Sequence, residues 1–216
     1  NILYSRFLGV PVEFDFEKSN ILFKRMYSIF GQNSAESLHW KSAESQRLRY
    51  EIYYMMGSFE NKSILDLGCG LGDLYGFLKQ RVKKFEYLGV DILPEFVKGA
   101  SNKFPGARFV KGDILTFKPE KTYDYVISCG ALNVRIGNMD KLVKKAIKKI
   151  YSLCRIGCGF NLLSKNAYYK DDSLYNYDPV KIISHCTKYT PFIRYMHEYL
   201  DNDFTIFMYK DQVYKV

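Results

Sequence analysis

The chain has 216 residues, 47% of them hydrophobic, and carries 32 Lys and Arg against 23 Asp and Glu, for a formal net charge of +9. That size and composition suit one α/β domain with a short extension. No run is long and apolar enough to cross a bilayer and no apolar signal core follows Asn1, so neither a membrane partner nor a secretory route is expected.

Residues 1–40 read as an N-terminal helical cap. Gly9 and Pro11 break any early helix, so the lead-in with Phe7, Phe14 and Phe16 is irregular. A helix is expected from about Asn20 to Phe30, with Phe23 and Tyr27 on it, and Gly31-Gln32-Asn33-Ser34 then turns the chain. The main domain is expected over 41–216. Its first helix runs from Ser42, a suitable N-cap, to about Met56, with an apolar stripe of Leu48, Ile52 and Met55.

From Lys62 strands and helices alternate, which predicts a mostly parallel sheet between helix layers. The first strand spans Ser63–Leu67 and the first helix of this unit Asp73–Val82. A second strand, Tyr87–Val90, leads to a helix opened by Pro94 and running to Lys103. The third and fourth strands are Arg108–Val110 and Tyr123–Ser128. Lys141, Lys144, Lys145, Lys148 and Lys149 then share one face of a helix ending at Leu153, opposite Leu142, Val143, Ala146, Ile147 and Ile150, as in a solvated outer helix packed on a sheet. A fifth strand, Cys158–Leu163, precedes a helix over Pro179–Lys188. The last strands are Ile193–Glu198 and Phe204–Tyr209. Asp201-Asn202-Asp203 joins them as a hairpin, so the seventh strand must run antiparallel to the sixth.

One connection is long. Ser164–Asp178 leaves the carboxyl end of the fifth strand and holds Tyr168, Tyr169, Tyr175 and Tyr177 with Lys165, Lys170, Asp171 and Asp172. A structureless segment of that length at the ligand-binding end of a sheet is usually functional, and it is expected to be a substrate lid. The five cysteines are odd in number and show no disulfide framework, which predicts free thiols and a reducing, cytoplasmic setting. Cys154 and Cys158 have no second Cys/His pair beside them, so no metal is expected.

The chemistry concentrates after the first strand. Gly68, Gly70 and Gly72 let the backbone turn tightly and leave the N–H groups of the next helix facing a ligand. Asp91, at the end of the second strand, stands where an acid would bind a ribose diol. Asp73 replaces the third glycine of the dinucleotide fingerprint, so a nicotinamide cofactor is not expected. The pattern Asp66-x-Gly68-x-Gly70-x-Gly72 instead resembles motif I of the class I S-adenosylmethionine (SAM)-dependent methyltransferases, and the resemblance continues in order through Val90-Asp91-Ile92, Phe109–Ile114 and Tyr123–Gly130. It implies their fold, a seven-stranded mostly parallel sheet with the last strand antiparallel and helices on both faces. It implies SAM as cofactor, bound by Asp66, Gly68, Cys69, Gly70, Asp91, Ile92, Gly112, Asp113, Ile114, Ser128, Cys129 and Gly130. The segment before motif I resembles that of a bacterial small-molecule subgroup, which implies that Trp40, Gln46 and Arg49 reach the methionine end, with the Arg49 fork on its carboxylate.

Methyl transfer needs an aligned acceptor, and a base only where the acceptor arrives protonated. His39 and His185 are the candidate bases, while His197, within the sixth strand, reads as structural. Asn133 and Arg135 follow the fourth strand, and Arg135 suits an anion. Ser128-Cys129-Gly130 departs from the Asn/Asp-Pro-Pro-Tyr/Phe pattern of enzymes that methylate nucleic-acid amino groups. The expected substrate is therefore a small anionic or nucleotide-linked metabolite, methylated at oxygen rather than nitrogen. An RNA methyltransferase, supported by charge, and a non-catalytic SAM-binding partner subunit are the alternatives.

Overall fold

A computed structural model describes residues 14–213. The lead-in through Phe7, Gly9 and Pro11 lies outside the described residues. Asp15 accepts from the Lys18 backbone N–H and opens helix α1 (Phe16–Phe30), four residues earlier than the sequence predicts. A 3-10 turn over Ala35–Leu38, unforeseen in the sequence, follows under a Ser34 cap. Helix α2 (Ala43–Tyr54) starts where Ser42 accepts from the Ser45 N–H.

The alternating unit then comprises β1 (Lys62–Leu67), α3 (Asp73–Lys79), β2 (Phe85–Asp91), α4 (Pro94–Lys103), β3 (Arg108–Lys111), β4 (Tyr123–Ser128), α5 (Met139–Leu153), β5 (Cys154–Leu163), α6 (Pro179–Cys186), β6 (Ile193–Met196) and β7 (Asp203–Tyr209). The seven strands form one sheet in the order β3-β2-β1-β4-β5-β7-β6. Neighbours from β3 to β5 are parallel, whereas β7 runs antiparallel to both β5 and β6. The hairpin therefore inserts its second strand between β5 and β6 rather than adding it at the edge.

Several boundaries differ from the sequence reading by two to four residues. Helix α3 ends at Lys79, three residues before the predicted Val82. Helix α5 passes directly into β5 at Cys154, so that strand is longer at its start than the apolar run alone shows. Strand β6 ends at Met196, which leaves His197 outside it, beside Tyr195.

Strand β7 is buried on both faces and divides the core by its pleat. Phe204, Ile206 and Met208 join the layer under α5 and α6, while Phe207 and Tyr209 point to the layer under α2 and α3. On α5 the apolar residues Leu142, Val143, Ala146, Ile147 and Ile150 are buried and Lys141, Lys144, Lys145 and Lys148 are exposed. The strand order reverses between β1 and β4, and a crevice opens there at the carboxyl ends of the strands.

Candidate active site

The crevice is built by the turns after β1, β2 and β4. Gly68 follows β1 with φ +81°, and a Cβ there would lie 2.3 Å from the Ala131 Cβ in the loop after β4. Gly70 has φ +53° and its Cβ would lie 2.8 Å from Leu38. Both positions thus require glycine for backbone conformation and for close approach.

Three carboxylates from successive strands line this cleft together with Ile92, Gly112 and Ile114. The Gly70 N–H donates to one oxygen of Asp91 and the Leu93 N–H to the other, each at 2.9 Å. Those two bonds fix the Asp91 carboxylate and leave one lone pair on each oxygen. Burial nevertheless pushes its carboxyl up to about 6. Asp66 accepts the Tyr87 hydroxyl on Oδ2 at 2.6 Å, but its buried Oδ1 has no partner among the described residues. Burial is the main cause of its rise to about 7, against the Tyr87 hydrogen bond and with Asp91 and Asp73 adding to it. Asp113 receives the Leu115 N–H at 2.6 Å.

Cys69, Cys129, Gly130 and Trp40 complete the polar end, and burial drives both thiols well above their usual range. The other end is apolar, with Phe16 and Phe23 from α1, Leu132, Ile136 and Met139 among its walls. Helix α1 is held there by Phe23 and Tyr27, whose rings pack edge-on against Phe96. The Asp15 N–H ties the start of α1 to the Ile136 carbonyl at 2.7 Å.

A second cavity adjoins the first across a shared wall of Trp40 and Gly130, and His39, Asn133, Lys41, Lys170 and Asp171 line it. The wall is tight, because a Cβ on Gly130 would fall 2.5 Å from the Trp40 ring. The Arg49 guanidinium stacks 4.6 Å from the centre of that ring.

The predicted site residues divide. Arg49 lies beside Trp40 as expected but does not offer a free fork. Its Nε and Nη2 donate to Asp203 at 2.9 and 2.8 Å, and its Nη1 to the Ser45 carbonyl at 2.8 Å. Gln46 donates to Asp73 Oδ2 and lines neither cavity. Ser128 is buried beneath the site with its hydroxyl unpartnered among the described residues, and it too lies behind the walls. The Asn133 carbonyl oxygen of the side chain accepts the Leu163 N–H, a structural bond.

Arg135 is exposed and turned outward. It donates to the backbone carbonyls of Asp172 and Leu174 and stacks on Tyr175, so it clips the 164–178 connection rather than facing an acceptor. His185 sits on α6 against Tyr189, remote from both cavities, with burial holding its imidazole below the usual range. Of the four tyrosines of the connection, Tyr169 alone lines a cavity. Tyr168 is 97% exposed, Tyr175 bonds to Asp140, and Tyr177 is buried with its hydroxyl on the Leu132 carbonyl.

Sequence reasoning missed the polar network beneath Gly130. Asn161 accepts the Gly130 N–H at 2.8 Å and the Tyr53 hydroxyl at 3.0 Å, and its amide donates to Asp203. The available signal was a lone amide within the apolar run Phe160–Leu163.

Comparison with known proteins gives this geometry a family. The chain is 32% identical over 155 residues to a Mycobacterium tuberculosis protein named "Putative methyltransferase Rv1506c", covering 68% of this chain and 93% of that one. This chain belongs to the class I SAM-dependent methyltransferases. Residues 64–159 of the methyltransferase also match the family described as "Methyltransferase domain". A more distant relative is the trans-aconitate 2-methyltransferase of Escherichia coli, 30% identical over 100 residues, which span 46% of this chain and 39% of the relative. In fold, the methyltransferase is similar to the magnesium protoporphyrin IX methyltransferase of Synechocystis with bound S-adenosylhomocysteine. The TM-score is 0.63 at 16% identity, over 89% of this chain and 92% of the other. Its cofactor is SAM, and the cleft suits that group. The buried Asp66 Oδ1 has no donor among the described residues, as the site of a cationic ligand would, and glycines keep the floor free of side chains.

Proposed function

We propose that this methyltransferase acts on a small anionic molecule, at oxygen in preference to nitrogen. SAM supplies an activated methyl group on a sulfonium. In this reading Asp91 holds the ribose through its two open lone pairs, Asp113 accepts from the adenine amino group, and Asp66 faces the amino-acid end. Ile92, Gly112 and Ile114 flank the base. Gly68, Cys69, Gly70, Cys129, Gly130 and Trp40 shape the wall. Arg49 acts by stacking on Trp40 rather than by gripping the carboxylate.

One observation carries the choice of acceptor. The space next to the cofactor cleft is a half-open hollow, with the 3-10 turn and α1 on one side and the 164–178 connection on the other. A hollow walled on two sides suits a small molecule more than a strand of RNA. Lys41 and Lys170 line this cavity beside Glu36, Asp171 and Asp201, and they are the cations that would meet an anionic group there. A relative that acts by its name on trans-aconitate, a polycarboxylate, supports the same charge. None of the lysines of α5 lines either cavity, which weakens the RNA reading. Of the 1–40 segment, residues from Phe16 to Trp40 serve as a cap over both cavities. The five free cysteines, four of them buried, support a cytoplasmic setting.

The test is transfer of labelled methyl from SAM into a nuclease-treated extract. Label is expected in the small-molecule fraction, unchanged by charge reversal of Lys144 and Lys148. Label found in RNA alone, and lost with those lysines, would transfer the assignment to RNA. SAM binding without transfer to any fraction would favour the partner-subunit reading.

A further inference from the structure

Helix α1 turns an apolar stripe to the second cavity. Phe23, Met26 and Phe30 recur at helical spacing and all line it. Phe23 reaches both cavities, whereas Met26 and Phe30 line the second alone. Tyr169 and Leu174 of the 164–178 connection add to the apolar lining. No residue of α1 is fully buried, Phe30 is 46% exposed and Tyr169 is 81% exposed. Large apolar side chains left open around one hollow mark a surface that a ligand covers. At Trp40 and Gly130 that hollow shares its wall with the cofactor cleft, so a molecule lying along the stripe adjoins the cofactor.

The same cavity is poor in bases. His39 Nδ1 is buried without a hydrogen-bond partner among the described residues, and Nε2 stands 3.7 Å from Asp171 Oδ2. His185 lines neither cavity. The Ser173 hydroxyl and N–H hold the Asp171 carboxyl below its usual range, and the Ser34 hydroxyl does the same to Glu36. Carboxylates so satisfied are weak bases. An alcohol, which must lose a proton, finds little help here, whereas an acceptor that arrives ionised needs none.

The geometry points to an apolar carboxylic acid as the acceptor, its alkyl or aryl body along Phe23, Met26 and Phe30 and its carboxylate toward the Trp40–Gly130 wall, with a methyl ester as product. This rests on the reading of the chain as a small-molecule O-methyltransferase and narrows it. In the step, a carboxylate oxygen forms a bond to the methyl carbon as the carbon–sulfur bond breaks. The electron pair of that bond stays on sulfur, the negative charge of the acid and the positive charge of the sulfonium are both lost, and no proton moves.

Two measurements test it. Trp40 is the single tryptophan of the chain, so its fluorescence reports on this wall. In protein saturated with S-adenosylhomocysteine, octanoate should perturb that emission saturably and bind at least about tenfold more tightly than trans-aconitate, a more polar acid. Phe30→Ser, at an exposed helix end, should weaken octanoate about fivefold or more while S-adenosylhomocysteine affinity stays within about twofold of wild type. Label passed from SAM to the small-molecule fraction of an extract should enter organic solvent and be released as methanol by mild alkali, as a methyl ester is. Alkali-stable label, or label in acids that stay in water, would overturn the assignment. So would tighter binding of trans-aconitate, or octanoate binding that ignores Phe30→Ser. Label found in RNA alone would defeat the broader reading instead. If no fraction is labelled, the Trp40 titrations still decide whether the cavity takes an apolar acid.

Discussion

Replacing Asp203 with alanine tests the buried network that underlies the site. Asp203 is fully buried and Arg49 is 4% exposed. One carboxylate oxygen receives two guanidinium N–H bonds, at 2.8 and 2.9 Å, and a third from Asn161 at 2.9 Å. The other oxygen receives the Tyr199 hydroxyl and, at 3.1 Å, Asn161. Asp203→Ala leaves a guanidinium without its counter-charge in a dry position, a change that costs about 3–5 kcal/mol. Asn161 and Tyr199 lose acceptors too, which moves the expectation toward the upper end of that range. In a domain of this size such a loss lowers the melting temperature by roughly 6–20 °C. Urea denaturation of the single variants and of Arg49→Met/Asp203→Leu should show strong coupling, because removing both charges is far cheaper than removing one. The Gly130 loop should suffer as well, since Asn161 is held by Asp203 and in turn accepts the Gly130 N–H. An Asp203→Ala variant within about 0.5 kcal/mol of wild type would refute the reasoning, since substitutions remote from any such network fall in that range.

Asp91→Ala should weaken S-adenosylhomocysteine binding at least about tenfold by calorimetry, because each charge-assisted bond to the ribose is worth about 1.5–3 kcal/mol; unchanged affinity would remove Asp91 from the site. Asp66 is raised from 3.8 to about 7, so the folded apo protein keeps a proton that the unfolded chain releases, and stability falls as pH rises between those values. Asp66→Asn should abolish that fall, stabilising the apo protein at about pH 8 by on the order of a few kcal/mol at roughly 1.4 kcal/mol per pH unit while weakening SAM binding; parallel stability–pH curves for variant and wild type would contradict it. Gly130→Ala places a Cβ against Trp40 at φ +75° and should destabilise by about 1–3 kcal/mol, measured by the urea midpoint. Arg135→Ala should leave cofactor affinity unchanged but speed limited proteolysis within 164–178, where the guanidinium tethers two carbonyls.

What the sequence discloses here depends on how local the cause is. The turn after β1 is legible because strand, glycines and helix start are contiguous, and Asp91 and Asp113 follow at the ends of the next two strands. The helix opened by Pro94 begins and ends where composition predicts. Arg49 shows the limit. Its residue type and its place before the glycine turn identify a site neighbour, but its partner Asp203 lies 154 positions away in what the sequence presents as a surface turn. Only the insertion of β7 between β5 and β6 brings that turn under Gly130. Arg135 fails for a related reason: its guanidinium is satisfied by carbonyls of a connection whose path no periodicity reveals. His185 reads as an available imidazole, yet α6 packs over β7 and sets that ring against Tyr189, away from both cavities.

The chain carries +9 overall, yet among the described residues the cofactor cleft is lined by three carboxylates and no lysine or arginine. Two of those carboxylates have raised values because burial disfavours their charge, and Asp66 Oδ1 has no hydrogen-bond partner among the described residues to offset that cost. A site that is negative inside a positive protein fits a cationic sulfonium cofactor, whose binding would lower both values and release protons. The positive excess lies elsewhere, on the outer face of α5, where Lys141, Lys144, Lys145 and Lys148 are exposed. Net charge therefore describes the outside of this protein, and the buried acids describe its cleft.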